Sequence, residues 1–306
     1  MRKRVIQILT LFLFSLSALS CATSNLDFSR DARDTFVKIK QKVVITVCNP
    51  ADPAECLSKE ARSSGSGAVV MRTNAGSYVL TAGHVCSFEQ EMGLAVSLGA
   101  AKIDVEMKSV NFKLGEYTSD IINIDNNIDT CILFAHNLYT TKVAKLAGPM
   151  TSVEPGERVY NVAAPVGIFY KDVVPLLEGF FMGDRDLRAY YSIPAMGGSS
   201  GSPIFNKDNE IVGMIHSVNV YFPVVSVSPP KDLLREFVVN SIRMGEEKRL
   251  SKIGLIVRIN DKVQRLINLV VKNNREAQNE PTIDAFKDLA CYGIIAQIVQ
   301  NGKWGK

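Results

Sequence analysis

A serine, a histidine and an aspartate occur in this sequence where their side chains could act together in nucleophilic catalysis. Ser200 lies in the run Gly-Gly-Ser-Ser-Gly-Ser-Pro at residues 197–203, which favours a sharp, exposed turn over a helix or strand. His84 follows one apolar β-like segment, and Asp129 precedes another. Acyl transfer uses a serine whose proton passes to a histidine that a carboxylate orients. The order His84, Asp129, Ser200 therefore predicts an enzyme that attacks carbonyl groups.

Each of these features has a simpler interpretation when it is taken alone. Glycine- and serine-rich runs usually form flexible turns, and an aspartate before an apolar run usually caps a strand. The whole chain has only three histidines, however, and one of them precedes the aspartate and the serine in the required order. Asp120 and Asp125 are alternatives to Asp129. We prefer Asp129, 45 residues after His84, because its Asp-x-x-Ile-Leu run leads directly into a strand.

Four ordered motifs resemble those of the chymotrypsin-fold, trypsin-like serine proteases, closest in style to the bacterial Deg-type proteases and the glutamyl endopeptidases. They are Gly-Ser-Gly-Ala-Val-Val at 65–70, Tyr-Val-Leu-Thr-Ala-Gly-His at 78–84, Pro-Gly-Glu-Arg-Val-Tyr at 155–160 and Gly-Ser-Ser-Gly-Ser-Pro at 198–203. The resemblance covers about residues 36–240. It implies a mostly β fold of two six-stranded-type antiparallel β-barrels, followed by a C-terminal helix.

The resemblance also assigns roles to individual residues. Ser200 would be the nucleophile, His84 the general base, and Asp129 the carboxylate that holds the imidazole tautomer. The backbone N–H groups of Gly198 and Ser200 would form the oxyanion hole. We expect no cofactor and no metal, because the sequence contains neither a P-loop nor a metal-spaced cluster of cysteines and histidines.

The residues of the specificity pocket give conflicting indications. By resemblance, the pocket floor falls six residues before the nucleophile, at Pro194, so no carboxylate is placed to bind Arg or Lys. In the glutamyl endopeptidases a histidine two residues after the matching glycine binds a Glu carboxylate, whereas His216 comes three residues after Gly213. One step along a strand turns a side chain to the opposite face. His216 would therefore miss the pocket unless a bulge restores the register, and an inward-facing ring would lie near Asp129. We predict cleavage after small or medium aliphatic residues, with Glu as the alternative.

The distribution of apolar segments divides the chain into domains. Many short alternating runs bounded by Gly, Asn, Pro or Asp are typical of barrels or a sandwich. We predict a protease domain at 36–245, with barrel one at about 36–150, barrel two at about 151–230 and a C-terminal helix at 231–245. Residues 246–306 are predicted to form a helical extension. Three roles remain as alternatives for it: a lid, an oligomer contact and a docking face for a partner.

The N-terminal segment carries export signals. A basic segment at 2–4 precedes an apolar stretch at 5–19 that is too short to span a membrane comfortably. The following Leu-Ser-Ala-Leu-Ser-Cys run resembles a bacterial lipoprotein box with its diacylglyceryl group on Cys21. We therefore predict a lipoprotein-type signal peptide at 1–20, a linker at 21–35, and a protein of the periplasm or cell envelope that the lipid attaches to the membrane. The alternatives are ordinary cleavage near Ser20 or Ala22, followed by secretion, and anchoring by an uncleaved signal segment.

Export permits disulfide bonds. Cys48 and Cys56 enclose a proline-containing loop of a length that hairpin disulfides often close. Cys86 and Cys131 lie two residues after the histidine and the aspartate, so they can form a second bridge if those two residues meet. Cys291 would then be free. The alternative is that all five are buried thiols.

Composition and charge restrict the classes of partner. Of the 306 residues, 46% are hydrophobic and 22% are charged, as in ordinary globular proteins. The formal charge is +4, and three of these charges lie in the leader, so the remainder gives no reason to expect nucleic acid or an anionic surface as a partner. Proteins or peptides are the expected substrates.

Two alternative functions are a catalytically silent, chaperone-like lipoprotein of the same fold and an esterase. The nucleophile turn of esterases needs a glycine two residues after the serine, where this chain has Ser202.

Overall fold

The computed structural model describes residues 32–49, 52–272, 281–301 and 303. The predicted signal peptide and the lipidation site Cys21 lie outside the described residues. The chain divides into two compact units, Met1–Arg235 and Glu236–Lys306.

The first part of the larger unit is a closed antiparallel barrel. Its strands are β1 (Phe36–Asn49), β2 (Asp52–Arg72), β3 (Gly76–Ala82), β4 (Lys102–Asn111), β5 (Glu116–Asp125) and β6 (Thr130–His136). They pair around the barrel in the order β1, β2, β3, β6, β5, β4. β3 is buried throughout, and β6 is buried up to its last residue, so both are fixed by the core. The prediction of a six-stranded antiparallel barrel is confirmed for this half.

Two short helices, α1 (Gly83–Cys86) and α2 (Glu89–Ser97), connect β3 to β4. α1 starts directly where the buried strand β3 ends, so the orientation of its residues follows from the position of that strand.

The second part of the larger unit is an eight-stranded sheet. Its strands are β7 (Lys145–Leu146), β8 (Arg158–Val162), β9 (Leu176–Arg185), β10 (Arg188–Tyr191), β11 (Pro203–Phe205), β12 (Glu210–Met214), β13 (Ser217–Val218) and β14 (Ser226–Ser228). Their order is β13, β14, β10, β9, β8, β11, β12, β7. The two-residue strands β7 and β13 form the edges, and they extend the six strands expected here to eight. Val159, Tyr191, Ile193 and Ile204 are among the buried residues of its core.

The C-terminal part of the chain is helical. It contains α3 (Lys231–Leu266), a π-helical segment (Ile267–Lys272) and α4 (Thr282–Gln300). α3 continues without interruption past residue 245, so the predicted C-terminal helix and the start of the predicted extension are one element. Within the smaller unit, Nζ of Lys262 lies 2.6 Å from Oδ2 of Asp288, which joins α3 to α4. None of the described helices has both the length and the apolarity needed to cross a membrane.

Candidate active site

The side chains of His84 and Asp129 are in direct contact. Nδ1 of His84 lies 2.8 Å from Oδ2 of Asp129, and the backbone N–H of His84 donates to Oδ1 across 2.7 Å. Because both carboxylate oxygens engage the same residue, the plane of the imidazole ring is fixed. With the proton on Nδ1, the other ring nitrogen, Nε2, is an unprotonated acceptor. The pair can therefore act as an oriented general base.

The pairing of β3 with β6 brings these two residues together. Ala82 at the end of β3 is opposite Thr130 at the start of β6. One residue further on, the N–H of Gly83 donates to the carbonyl of Asp129 across 2.8 Å. Asp129 has a φ of 47°, in the left-handed region that aspartate tolerates better than most residues. The contact therefore depends on the sharp turn that precedes β6.

Both predicted disulfide bonds are present. Cys86 and Cys131 are joined with their Cα atoms 6.5 Å apart, so a covalent bond connects the helix of the histidine to the strand that follows the aspartate. The bond between Cys48 and Cys56 closes the hairpin of β1 and β2. Cys291 is free and exposed.

The alternative aspartates make other contacts. Oδ2 of Asp120 lies 2.8 Å from Nε2 of His136. Oδ1 of Asp125 accepts the backbone N–H of Asn127 across 2.8 Å and so caps the turn before β6. Of the three aspartates that the sequence offers, Asp129 is the one that the structure brings to His84.

Ser200 lies in a tight loop between β10 and β11. Its carbonyl accepts the N–H of Ser66 on β2 across 2.8 Å. The next residue, Gly201, donates its N–H to the carbonyl of Ile215 across 2.6 Å. One bond comes from the barrel and the other goes to the segment after β12, so the loop is held between the two halves of the larger unit.

Gly198 has a backbone conformation that requires glycine. Its φ is 93°, and a Cβ built on it would lie 2.5 Å from the carbonyl oxygen of Ala164. The carbonyl of Gly197 accepts the N–H of Val166 across 2.7 Å. Because the C=O and N–H of a trans peptide point in opposite directions, this bond turns the N–H of Gly198 away from Val166.

The peptide before Ser200 is oriented by the same kind of contact. The carbonyl of Ser199 accepts the N–H of Ser202 across 3.0 Å, which turns the N–H of Ser200 to the other side of the peptide. The N–H groups of Gly198 and Ser200 donate to no acceptor within the described part of the chain. Two oriented donors with free hydrogen-bonding capacity can stabilise a negatively charged oxygen.

Ser66 also belongs to this site, and the sequence patterns assigned it no role. It is completely buried, its Oγ donates to the carbonyl of Gly198 across 2.7 Å, and it accepts the N–H of Ala164 across 3.1 Å. Ser66 therefore holds the peptide that follows Gly198. The signal was a serine between two glycines in an apolar strand, because a buried hydroxyl needs partners.

The two residues predicted for the specificity pocket lie in different surroundings. Pro194 is exposed on the segment between β10 and the loop of Ser200. Nδ1 of His216 lies 3.5 Å from Oδ2 of Asp129, the neighbour that the strand register predicts for an inward-facing ring. The side chain of His216 is 16% exposed. Their assignment to the pocket stays a prediction.

The surroundings of His216 change its acidity. Burial, the largest cause, lowers the pKa of His216, while Asp129 raises it and the charges of His84 and Arg188 lower it further. The ring is therefore neutral near pH 7. In that form its contact with Asp129 places no positive charge beside the carboxylate.

His84 and Ser200 face the same cleft, which has a volume of about 420 Å³. Its other lining residues come mainly from the barrel side and are Gln41, Ser63, Ser64, Val85, Ser87, Glu89 and Glu91. No cluster of three or more potential metal ligands occurs among the described residues.

Comparisons with known proteins agree with this geometry. The family model of the trypsin-like peptidase domain matches residues 65–214, a range that contains His84, Asp129 and Ser200. The crystal structure of the serine endoprotease from Yersinia pestis is similar with a TM-score of 0.53 and 15% sequence identity, over 74% of this chain and 69% of that chain. At that identity the similarity shows the fold alone. No curated protein sequence matches this chain at a significant level. Residues 65–214 therefore belong to the trypsin-like peptidase family, on the chymotrypsin-type fold that the sequence predicted.

Proposed function

We propose that this protein is an exported serine endopeptidase that hydrolyses peptide bonds through His84, Asp129 and Ser200. The main support for the proposal is that Asp129 contacts both the ring and the backbone N–H of His84, and that His84 lines the same cleft as Ser200. A carboxylate that receives both the ring and the backbone of one histidine fixes a single imidazole orientation, which general-base catalysis needs.

The reaction begins with the attack of Ser200 Oγ on the carbonyl carbon of the scissile peptide. His84 accepts the hydroxyl proton as the C–O bond forms, and it later donates that proton to the nitrogen of the leaving amine as the C–N bond breaks. A water molecule then attacks the carbonyl carbon of the acyl-enzyme while His84 accepts its proton. The C–O bond to Ser200 breaks, His84 returns the proton to Oγ, and the acid is released. Asp129 stabilises the imidazolium that forms in each step.

The backbone N–H groups of Gly198 and Ser200 bind the oxyanion of each tetrahedral intermediate. The contacts of Gly197 with Val166 and of Ser66 with Gly198 hold the first of these donors in place before substrate binds. Preorganised donors are effective because they do not have to reorient as charge develops, and one such donor lowers the activation barrier by about 3–4 kcal/mol.

The residue preferred before the scissile bond is small or medium and aliphatic. This proposal has two supports. Pro194 supplies no carboxylate at the predicted pocket floor, and the ring of His216 contacts Asp129 instead of being available to bind a substrate side chain. Digestion of a peptide library tests it. Dominant cleavage after Glu would show that His216 reaches the pocket, and dominant cleavage after Arg or Lys would contradict the whole assignment.

The protein acts in the periplasm or cell envelope, attached through a lipid on Cys21. The two disulfide bonds support an oxidising compartment, because disulfides persist outside the cytosol. Secretion without a lipid is the alternative. The substrates are proteins or peptides.

A catalytically silent, chaperone-like protein of the same fold is the second candidate function. The test is hydrolysis of an unfolded protein by the wild type, by Ser200→Ala and by Ser199→Ala. We expect Ser200→Ala to lose activity completely and to keep its melting temperature, whereas Ser199→Ala keeps most activity. Substrate binding without turnover in the wild type would favour the silent protein, and activity in Ser200→Ala would exclude this nucleophile.

A further inference from the structure

We propose that a basic groove beside the active-site cleft selects substrates with acidic residues on the leaving-group side of the scissile bond. This inference rests on the proposed protease function and adds a substrate class to it. The groove is a cavity of about 460 Å³ on the barrel. Five cations line it, and they are Lys38, Lys40, Lys42, Arg62 and Lys108.

The basic groove continues from the cleft that contains His84 and Ser200. Gln41, Ser63 and Ser64 line both cavities, so a chain leaving the cleft over these residues enters the groove without crossing another element.

Strand alternation and register collect the cations on one face. Lys38, Lys40 and Lys42 are alternate residues of β1 and share its outer face. Arg62 on β2 is opposite Lys42, and Lys108 on β4 is opposite Lys40. Like charges directly opposite each other on neighbouring strands are destabilising. The face therefore carries a concentration of positive charge that costs stability unless anions compensate it.

The carboxylates of the barrel compensate this charge only in part. Glu116 lies 2.6 Å from Lys40 and 3.6 Å from Lys108, and Glu106 lies 3.0 Å from Lys108. Glu60 pairs with both Lys42 and Arg62. Three carboxylates are thus shared among four cations, which leaves a net positive charge on this face.

Lys38 is the cation of the groove without an acidic partner. No carboxylate lies within ion-pair distance of it among the residues described, and its Nζ is 3.5 Å from the carbonyl of Gly167. Burial and the neighbouring charge of Lys40 lower the pKa of Lys38. A carboxylate placed here would lie beside an uncompensated cation, which makes an acidic side chain the best complement.

The position of the groove favours the leaving-group half of the substrate. Gly198, which would bind the oxyanion of the acyl half, lies in a loop of the second sheet, whereas His84, which protonates the leaving amine, belongs to the barrel. The groove also belongs to the barrel. Lys38 to Lys42 span about 13 Å of extended strand, which matches about four residues of an extended peptide.

Matched peptides test this proposal. They share all residues up to the scissile bond, and the second to fifth residues after it are either Glu and Asp or Gln and Asn. We expect kcat/KM to be about three- to tenfold higher for the acidic peptide, since exposed ion pairs are individually weak. The ratio should approach one at high salt, which screens such pairs.

Variants of the groove sharpen the test. Lys38→Glu should remove the preference and improve cleavage of a peptide with Lys after the bond, while Lys207→Gln, outside both cavities, should change neither. Equal kcat/KM for the acidic and neutral peptides would overturn the proposal, as would an acidic preference that is unchanged in Lys38→Glu.

A binding measurement separates failure of the groove from failure of the protease assignment. Fluorescence anisotropy of both labelled peptides is measured on Ser200→Ala and on Ser200→Ala/Lys38→Glu. Tighter binding of the acidic peptide, lost with Lys38→Glu, supports the groove even if the wild type cleaves neither peptide. Equal binding of the two peptides overturns it.

Discussion

Removal of the Cys86–Cys131 disulfide should reduce both stability and catalysis. The bond joins cysteines 45 residues apart, and closing a loop of that length removes denatured-state entropy equivalent to about 4 kcal/mol. It also ties α1, which carries His84, to β6, which follows Asp129. A double variant, Cys86→Ala/Cys131→Ala, therefore releases a constraint on the two residues that must remain in contact.

The Cys48–Cys56 disulfide provides a matched control at the tip of a hairpin. Its cysteines are eight residues apart, so the same estimate gives about 2.5 kcal/mol. Cys48→Ala/Cys56→Ala should lower stability less than the first double variant and leave the contact of His84 with Asp129 unchanged.

Urea denaturation and peptide hydrolysis well below the unfolding transition distinguish these effects. We expect kcat to fall about 10- to 100-fold in Cys86→Ala/Cys131→Ala, because misplacement of a catalytic group by about 1 Å has that cost. KM should change little, and the control should keep wild-type kcat. Unchanged kcat in the first variant, or an equal fall in both, would refute the positioning role of this bond.

Three further predictions concern acidity, the oxyanion site and the anchor. Because the pKa of His216 is lowered in the folded protein, the unfolded chain binds a proton more readily, and the free energy of unfolding should fall as pH drops below about 6.5. The fall should be smaller in His216→Leu. Urea titrations at about pH 7.5 and about pH 5.5 measure it, and an equal change in the free energy of unfolding for the wild type and the variant would contradict the prediction. Gly198→Ala should lose at least about 100-fold in kcat, because its Cβ would meet the carbonyl of Ala164 and displace one oxyanion donor; wild-type kcat would exclude that donor. Cys21→Ser should move the protein from the membrane to the soluble fraction and abolish palmitate labelling, and a mature N-terminus downstream of residue 21 would rule out the lipid.

The catalytic candidates were predictable because each occupies a local backbone context that its sequence encodes. The glycines around Ser200 indicate a strained turn, and the apolar runs next to His84 and Asp129 indicate strands that can pair. The disulfide between Cys86 and Cys131 was predicted from the positions of the cysteines near His84 and Asp129. The antiparallel register places Cys131 opposite Thr81, so the bond also depends on α1, which carries Cys86.

Other features depend on contacts between distant segments, which local patterns do not encode. The role of Ser66 requires the loop of Gly198 to lie against β2. The basic groove exists because the register of β1 with β2 and β4 aligns cations that are far apart in sequence. The continuity of α3 past residue 245 was missed because charged residues interrupt its apolar pattern there, while helix formation itself tolerates them.

Labelling with a fluorophosphonate probe tests the central assignment most directly. The probe forms a covalent bond only with a serine activated by its neighbours, and mass spectrometry of the digested adduct locates the modified residue. We expect one adduct, on Ser200, that is lost in Ser200→Ala and strongly reduced in His84→Ala and Asp129→Ala. An adduct on another residue, or labelling of Ser200 that does not depend on His84, would contradict it.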